Sequence, residues 1–252
     1  MASATHPGLV RSHNEDALIA DALSGFAAIA DGMGGYNAGE VASRIAVERV
    51  SASLQAALGQ VHRDRIDDTN AERLLERHIA EANAAVYNAA QSDASYSGMG
   101  TTLVVACWCG DRMSVGHVGD SRLYRLREGS LTQLTRDHSL TQDQIDDGVL
   151  SPAQARYSAQ RSVVTRAVGV EPQVKADIRS FAVAAGDLYI LCSDGLTEML
   201  TNVQIQEALE SAGPQMQRAA DVLVELANAR GGRDNISVIV ARVAHANQEV
   251  PQ

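Results

Sequence analysis

Phe26-Ala27-Ala28-Ile29-Ala30-Asp31-Gly32-Met33-Gly34-Gly35 runs five apolar residues into a lone aspartate and then into a glycine-rich bend. The apolar run reads as a buried strand. Upstream, Ala17 to Ala20 forms a second short apolar run, and Asp21-Ala22-Leu23-Ser24-Gly25 between the two carries a turn glycine. The spacing therefore predicts a hairpin from Ala17 to Asp31. A turn at Ala22 to Ser24 sets Asp21 against Phe26 and, carried outward, Asp16 against Asp31. Facing residues of an antiparallel pair are about 5 Å apart, so two carboxylates there repel unless something neutralises them. A bound cation would do so.

Working outward, Ala38, Val41, Ala42, Ile45, Ala46, Val50, Leu54, Ala57 and Leu58 recur at helical spacing, and so do Leu75, Ile79, Ala82, Val86 and Ala89 within a second helix from Asn70 to Ala90, capped by Asp68, Thr69 or Asn70. From Thr101 to Leu134 the period becomes strand-like. Leu103 to Ala106, Met113 to Val118, Arg122 to Leu126 and Leu131 to Leu134 alternate with Gly-Asp or Gly-Ser turns and read as an antiparallel meander. Thr135 to Gly169 is polar and irregular, with short helical pieces at Leu140 to Asp147 and Pro152 to Tyr157. Strand character returns at Asp187 to Cys192. Helices follow at Asn202 to Ser211, with Thr201 and Gln204 as a capping box, and at about Gln215 to Arg230, before a last strand, Ile236 to Ala241. Grouped strands with paired helices indicate an α+β fold with mainly antiparallel sheets in one domain.

The chain has 252 residues, 45% of them hydrophobic, and a formal net charge of -10. That charge disfavours nucleic acid and anionic membrane as partners and suits divalent cations. No apolar run approaches the roughly 20 residues of a membrane span, and Met1-Ala2-Ser3-Ala4-Thr5-His6 lacks the basic and apolar regions of a signal peptide, so a cytoplasmic protein is expected. Three cysteines, Cys107, Cys109 and Cys192, make no disulfide framework and lack zinc-site spacing; buried apolar positions are expected for them.

Asp120 in Gly119-Asp120-Ser121, Asp194 in Ser193-Asp194-Gly195 and Asp234 in Arg233-Asp234-Asn235 repeat the setting of Asp31, a strand end or turn beside a small residue. Singly each is an ordinary turn residue. Together, with no matching supply of Lys or Arg in the same motifs, they call for a hard cation, and oxygen ligands suit Mg²⁺ or Mn²⁺, with a glycine carbonyl able to complete a site. The bend after Asp31 is no phosphate loop: no Gly-Lys-Ser/Thr follows, and its first charged residue is Glu40.

Eight stretches, in order, resemble the metal-dependent protein phosphatases of the 2C type in their bacterial Ser/Thr form. They are Gly8 to Asp16, Ala30 to Gly35, Ser97 to Thr102, Val118 to Arg122, Thr135 to Ser139, Thr165 to Gly169, Leu191 to Leu196 and Gly232 to Ser237. The resemblance implies a central sandwich of two antiparallel β-sheets flanked by helix pairs, one catalytic domain over residues 5–244, and a flap at about 140–160. It implies two Mn²⁺ or Mg²⁺ ions per chain, with Asp31 bridging both, the carbonyl of Gly32 on one, Asp194 and Asp234 on the other, and Glu15 and Asp16 around the second, partly through waters. Asp120 with Asp194 matches a weaker third site, and Arg11 the phosphate-binding arginine. The implied reaction is hydrolysis of phosphoserine and phosphothreonine by a hydroxide shared between the ions, on phosphorylated proteins that include a Ser/Thr kinase and its substrates, by a monomer. Where eukaryotic members often carry a histidine that protonates the leaving alkoxide, this chain, like many bacterial members, has Met33, which cannot transfer a proton. His13, His117 and His138 lie in or near the motifs and are candidates for that acid. In the flap, Asp143, Asp146, Asp147, Arg156, Tyr157 and Arg161 are exposed candidates for substrate contact. A phosphoprotein-binding module without turnover and a phosphatase of small metabolites are the competing readings.

Overall fold

A computed structural model describes residues 1–35, 38–59 and 66–244. Eleven strands form two antiparallel sheets among these residues. The first sheet takes the order β1 (Ala2–His6), β11 (Ile236–Arg242), β10 (Leu188–Cys192), β7 (Arg122–Arg127), β8 (Ser130–Gln133). The second takes the order β2 (Asp16–Asp21), β3 (Phe26–Met33), β5 (Leu103–Cys109), β6 (Arg112–Val118), β9 (Asp177–Ala182), with the short β4 (Gly100–Thr101) paired to the end of β3. Helices α1 (Ala38–Gly59) and α2 (Asp68–Ser92) cover the second sheet; α5 (Asp194–Met199), α6 (Asn202–Ala212) and α7 (Met216–Ala229) cover the first. The α+β sandwich flanked by helices is as expected.

The hydrophobic pattern of the strands builds this layering. Ala27 and Ile29 of β3, with Val104 and Val115 of their own sheet, face Leu123, Tyr189, Leu191 and Ile239 of the other; Phe26, Ala28 and Ala30 face α1 and α2 with Leu54, Leu75 and Ile79. Strands buried on both faces need continuous apolar runs rather than alternation, as β3, β5, β10 and β11 have. Each fully buried Ile or Leu contributes roughly 1.5–3 kcal/mol. Cys107 and Cys109 share the helix-facing side of β5, and all three cysteines are buried.

Several expectations are corrected. Leu103 to Leu134 is not a single meander: β5 pairs with β6 in one sheet and β7 with β8 in the other, so the chain changes sheets at Gly119-Asp120-Ser121. Asp67 caps α2, accepting from Asn70 N–H at 2.8 Å, while Asp68, inside the helix, takes a two-pronged contact from Arg112. Besides the two-residue β4, two strands and a helix were not expected. β1 has the unremarkable composition Ala-Ser-Ala-Thr-His and exists through its ladder to β11. β9 completes the second sheet beside β6. Helix α5 opens at Asp194. The capping box Thr201–Gln204 is present. Tyr36 and Asn37, in the glycine-rich bend, lie outside the described residues.

The segment between β8 and β9 contains α3 (Leu140–Asp146) and α4 (Pro152–Ala155), the latter shorter than expected. It leaves the sandwich and returns through a narrow neck. Ser139 bridges Val164, Leu140 N–H donates to Val163 O at 2.9 Å, and Thr165 N–H donates to His138 O at 2.8 Å.

Candidate active site

Strand ends bring the acids together. The β2–β3 hairpin has the expected register, Asp16 opposite Asp31 and Asp21 opposite Phe26. Asp194 follows β10, Asp234 precedes β11, and Asp120 sits where the chain crosses between sheets, so all five meet at one end of the sandwich. Asp31, Gly32, Asp120, Asp194 and Asp234, with Arg11, Glu15 and Met33, line a cleft of about 210 Å³ that Ser162 and Val164, from the segment between β8 and β9, also line. Asp16 lies beside Asp31 beneath the cleft wall.

Each acid is held by its backbone or by a neighbour that is not a cation, Asp234 excepted. Asp31 N–H donates to Thr102 Oγ1 at 2.9 Å, and Asp31 O accepts from Thr102 N–H and Thr101 Oγ1, each at 2.8 Å. Ser193 Oγ donates to Asp16 Oδ2 at 2.8 Å, which is why this serine precedes α5 without capping it. Gly32 is required by close approach: a Cβ there would lie 2.0 Å from Gly39 O and 2.7 Å from Glu15 O. Gly32 N–H donates to Glu15 O at 3.1 Å.

Asn235 is the residue that the sequence reading passed over. It is buried; its Oδ1 accepts from Glu15 N–H at 2.8 Å, and its Nδ2 donates to Pro7 O at 3.0 Å and His13 O at 2.8 Å. One amide thereby pins the loop bearing Arg11 and Glu15 to the start of β11. Its place next to Asp234 in a recognised motif was the available signal.

The electrostatics are unfavourable for carboxylates alone. Burial, followed by the charges of Asp16, Asp194, Asp120 and Asp234, holds the Asp31 carboxyl well above its ordinary value. Asp194 is raised in the same way, by burial and then by Asp120 and Asp234. Burial and Asp137 push Asp120 up to about 6, with Arg122 opposing. Asp16 is raised by burial against the hydrogen bonds of Ser237 and Ser193, and Glu15 by burial. Asp16 Oδ1 and Asp194 Oδ1 are buried with no hydrogen-bond partner. A buried acceptor left bare costs about 1–3 kcal/mol, more when charged. Among the described residues Arg11 makes the one ion pair with these five aspartates, Nη2 donating to Asp234 Oδ2 at 2.7 Å across the rim.

Bare carboxylate oxygens, depressed acidity and an all-oxygen donor set fit a hard divalent cation. Among the described residues no three His, Cys, Asp or Glu side chains already converge on one point. The acids ring the cleft, and Gly32 would contribute a carbonyl.

None of the three candidate histidines lines the cleft. His117 and His138 are buried and stacked, ring centroids 4.7 Å apart and 15° from parallel, and neither lines the cleft. Burial, then the charges of His117 and Arg166, lowers His138 to about 4, so its ring is neutral near pH 7. His13 contributes its carbonyl to Asn235. Of the flap candidates, Asp143 and Asp146 are tied to Arg136, Arg161 pairs with Glu198 at 3.1 Å, and Arg156 and Arg161 line a second cavity of about 370 Å³ that shares Asp120 and Asp194 with the cleft. Tyr157 is 88% exposed, and Asp147 is exposed as well.

Comparison with known proteins agrees with this geometry. The family model described as protein phosphatase 2C matches residues 10–231. The Ser/Thr protein phosphatase PstP of Mycobacterium tuberculosis is 38% identical over 236 residues, which are 94% of this chain and 43% of that protein. The chain thus spans less than half the length of that relative. The Ser/Thr phosphatase stp of Listeria monocytogenes is 36% identical over 239 residues, 94% of this chain and 92% of that protein. The crystal structure of the PstP catalytic domain in complex with two manganese ions superimposes with a TM-score of 0.85 at 35% identity, covering 97% of each chain. A crystal structure described as a bacterial serine phosphatase gives 0.88 at 30% identity, covering 98% of each chain. With the motif order, the sandwich and the ring of acids, these matches establish that the chain belongs to the protein phosphatase 2C family, in its bacterial Ser/Thr form.

Proposed function

We propose that this chain is a cytoplasmic, monomeric, Mn²⁺- or Mg²⁺-dependent phosphatase that removes phosphate from Ser and Thr of proteins, among them a Ser/Thr kinase and that kinase's substrates. The observation that carries the reading is the group of buried carboxylates at one end of the sandwich, with Asp16 Oδ1 and Asp194 Oδ1 lacking a hydrogen-bond partner among the described residues. Among the described residues no helix is long and apolar enough to cross a membrane.

Asp31, the carbonyl of Gly32, Asp194 and Asp234 would hold two ions, Asp16 and Glu15 would support them, and Asp120 with Asp194 would hold a weaker third. Bound divalent cations supply hydroxide at neutral pH and offset the charge that builds on phosphate oxygens. The chain's own residues orient and exclude. Arg11, half exposed at the rim, presents a planar fork that suits two phosphate oxygens. Thr101 and Thr102 fix the backbone of Asp31 from behind, so that the carboxylate is aimed before any ligand arrives. Met33 lines the cleft without a transferable proton, so the leaving alkoxide takes its proton from water or another group.

The test is hydrolysis of a phosphothreonine peptide after metal stripping, with Mn²⁺, Mg²⁺ or nothing restored. Turnover that returns with Mn²⁺ supports the reading. A folded, metal-loaded chain inert toward several phosphopeptides but active on small phosphate monoesters would shift it to a metabolite phosphatase; no turnover on either would leave a binding module.

A further inference from the structure

Two of the recognised motifs, Thr135 to Ser139 and Thr165 to Gly169, contribute no residue to the ring of acids, yet they meet at one buried histidine. His138 is 1% exposed. Its backbone and its ring both engage Gly119: His138 N–H donates to Gly119 O at 2.9 Å, and Gly119 N–H donates to His138 Nδ1 at 3.1 Å. The same residue's carbonyl accepts from Thr165 N–H at 2.8 Å, across the neck of the flap. On its far side Nε2 lies 3.1 Å from Arg166 Nη1 and 3.5 Å from Asp177 Oδ2, and Arg166 Nη1 donates to Asp177 Oδ1 at 2.8 Å. The stacked His117 is anchored in turn through Nε2 to Arg136 O at 2.7 Å.

Gly119 can be clamped in this way only because of its conformation. Its φ is +101°, and a Cβ would stand 2.7 Å from Thr102 Cβ. The next residue is Asp120, and the next, Ser121, pairs its hydroxyl with Thr102 Oγ1 at 2.7 Å, the atom that also accepts from Asp31 N–H. The direction of Asp120 is therefore set from two sides, by Thr102 through Ser121 and by His138 through Gly119.

We propose that His138 is a positioning residue: it fixes the Gly119–Asp120 turn to the neck of the flap and so holds Asp120 ready for a divalent cation. This rests on the proposed reading of Asp120 as a metal-holding acid. A neutral imidazole with Nδ1 as acceptor carries its proton on Nε2, on the side of the Arg166–Asp177 pair, so the ring ties the turn to that pair at the start of β9 without reaching the cleft.

The experiment compares the wild-type chain with His138→Asn, whose side-chain oxygen sits where Nδ1 was, and His138→Leu, which has no acceptor. Gly119 amide hydrogen exchange, calorimetric Mn²⁺ titration and thermal unfolding are read on each. Leaving the Gly119 N–H unsatisfied should speed its exchange by about tenfold or more and weaken the lower-affinity Mn²⁺ class by about tenfold, with the tighter class unchanged. His138→Asn should recover both to within about threefold although it loses the ring stack and unfolds at a lower temperature. Equal Gly119 exchange and equal Mn²⁺ affinity in the two variants would overturn the proposal and reduce His138 to packing. Should His138→Leu not fold, His138→Gln, whose oxygen reaches past the Nδ1 position, takes its place against His138→Asn under the same criteria. An Asp120→Asn control separates the two readings: if it leaves the weaker Mn²⁺ class untouched, Asp120 is no ligand, and the metal half of the proposal falls while Gly119 exchange still judges the clamp.

Discussion

The two ends of the sandwich both carry aspartates where strands begin or stop, and they treat them oppositely. At the end remote from the cleft, Asp187 precedes β10 with a side chain 1% exposed and fully answered. Arg127 donates from Nε at 2.7 Å and from Nη2 at 2.6 Å, Ala184 N–H donates at 2.9 Å, and Tyr189 OH donates at 3.2 Å. Burial alone would raise its pKa, but the hydrogen bonds from Arg127 and Ala184 outweigh it and hold the carboxyl below the usual range. At the cleft end, Asp31 and Asp194 have no ion pair with a basic side chain among the described residues, and burial with mutual repulsion holds them well above that range. The same residue type at the same kind of position is structural where its charge is matched within the protein. Where the charge is left open, it waits for something from outside.

The sharpest way to break this contrast is Asp31→Asn. Turnover of a phosphothreonine peptide in saturating Mn²⁺ should fall on the order of 10³-fold, about 4 kcal/mol, while the metal-free variant melts no lower than wild type because a repelled charge has been removed. Retained turnover, or a melting point that drops, would mean that Asp31 is a structural acid like Asp187. Next in size is Arg127→Ala, which strands the Asp187 charge. Breaking a buried pair costs about 3–5 kcal/mol, and partial exposure of Arg127 reduces this to about 2–3, a fall of roughly 5–10 °C in melting temperature. Mn²⁺-dependent kcat should be unaffected in that variant, and a fall in kcat comparable to that of Asp31→Asn would erase the distinction between the ends.

Arg11→Lys probes the cation paired with Asp234 at the cleft rim. Exchanging the planar fork for a point charge should lower kcat/KM about tenfold, chiefly through KM, consistent with the loss of one charged hydrogen bond. An unchanged KM would leave Arg11 as merely the partner of Asp234. The smallest effect is in pH. Because Asp187 has a folded pKa below its unfolded value, its contribution is complete above pH about 4 and is lost as pH falls through the folded pKa. Denaturant midpoints of wild type and Arg127→Ala should therefore draw together on acidification below about pH 4, and parallel curves would show that the pair does not set the Asp187 titration.

Much of the site was legible because its grammar is local. The pairing of Asp16 with Asp31 follows from counting outward from the turn, and the direction of each acid follows from the apolar strand behind it. What was missed depends on distant partners. β1 has no hydrophobic alternation of its own and gains its order from β11. β9, Asp-Ile-Arg-Ser-Phe-Ala, lies after an irregular segment that masks its period, and Ser180 finds its partner in Ser114 of β6. The change of sheets at Asp120 cannot be read from turn residues, since a Gly-Asp turn serves a hairpin equally well. Asn235 was hidden by the acid beside it, because the three carbonyl and amide groups its side chain satisfies belong to a loop more than 200 residues away.

Strand β3 serves two cores at once, Ala27 and Ile29 on one face and Phe26, Ala28 and Ala30 on the other, before delivering Asp31. Inserting or deleting one residue inside it would exchange the two faces beyond that point, turn side chains such as Ile29 into the wrong core, and rotate Asp31 out of the acid ring. The strand therefore keeps a reading frame in three dimensions as strict as a codon's in one. Length variation among related chains should collect in the Ala22–Ser24 turn, whose tip residue Leu23 is 89% exposed, and should be absent from Phe26–Met33.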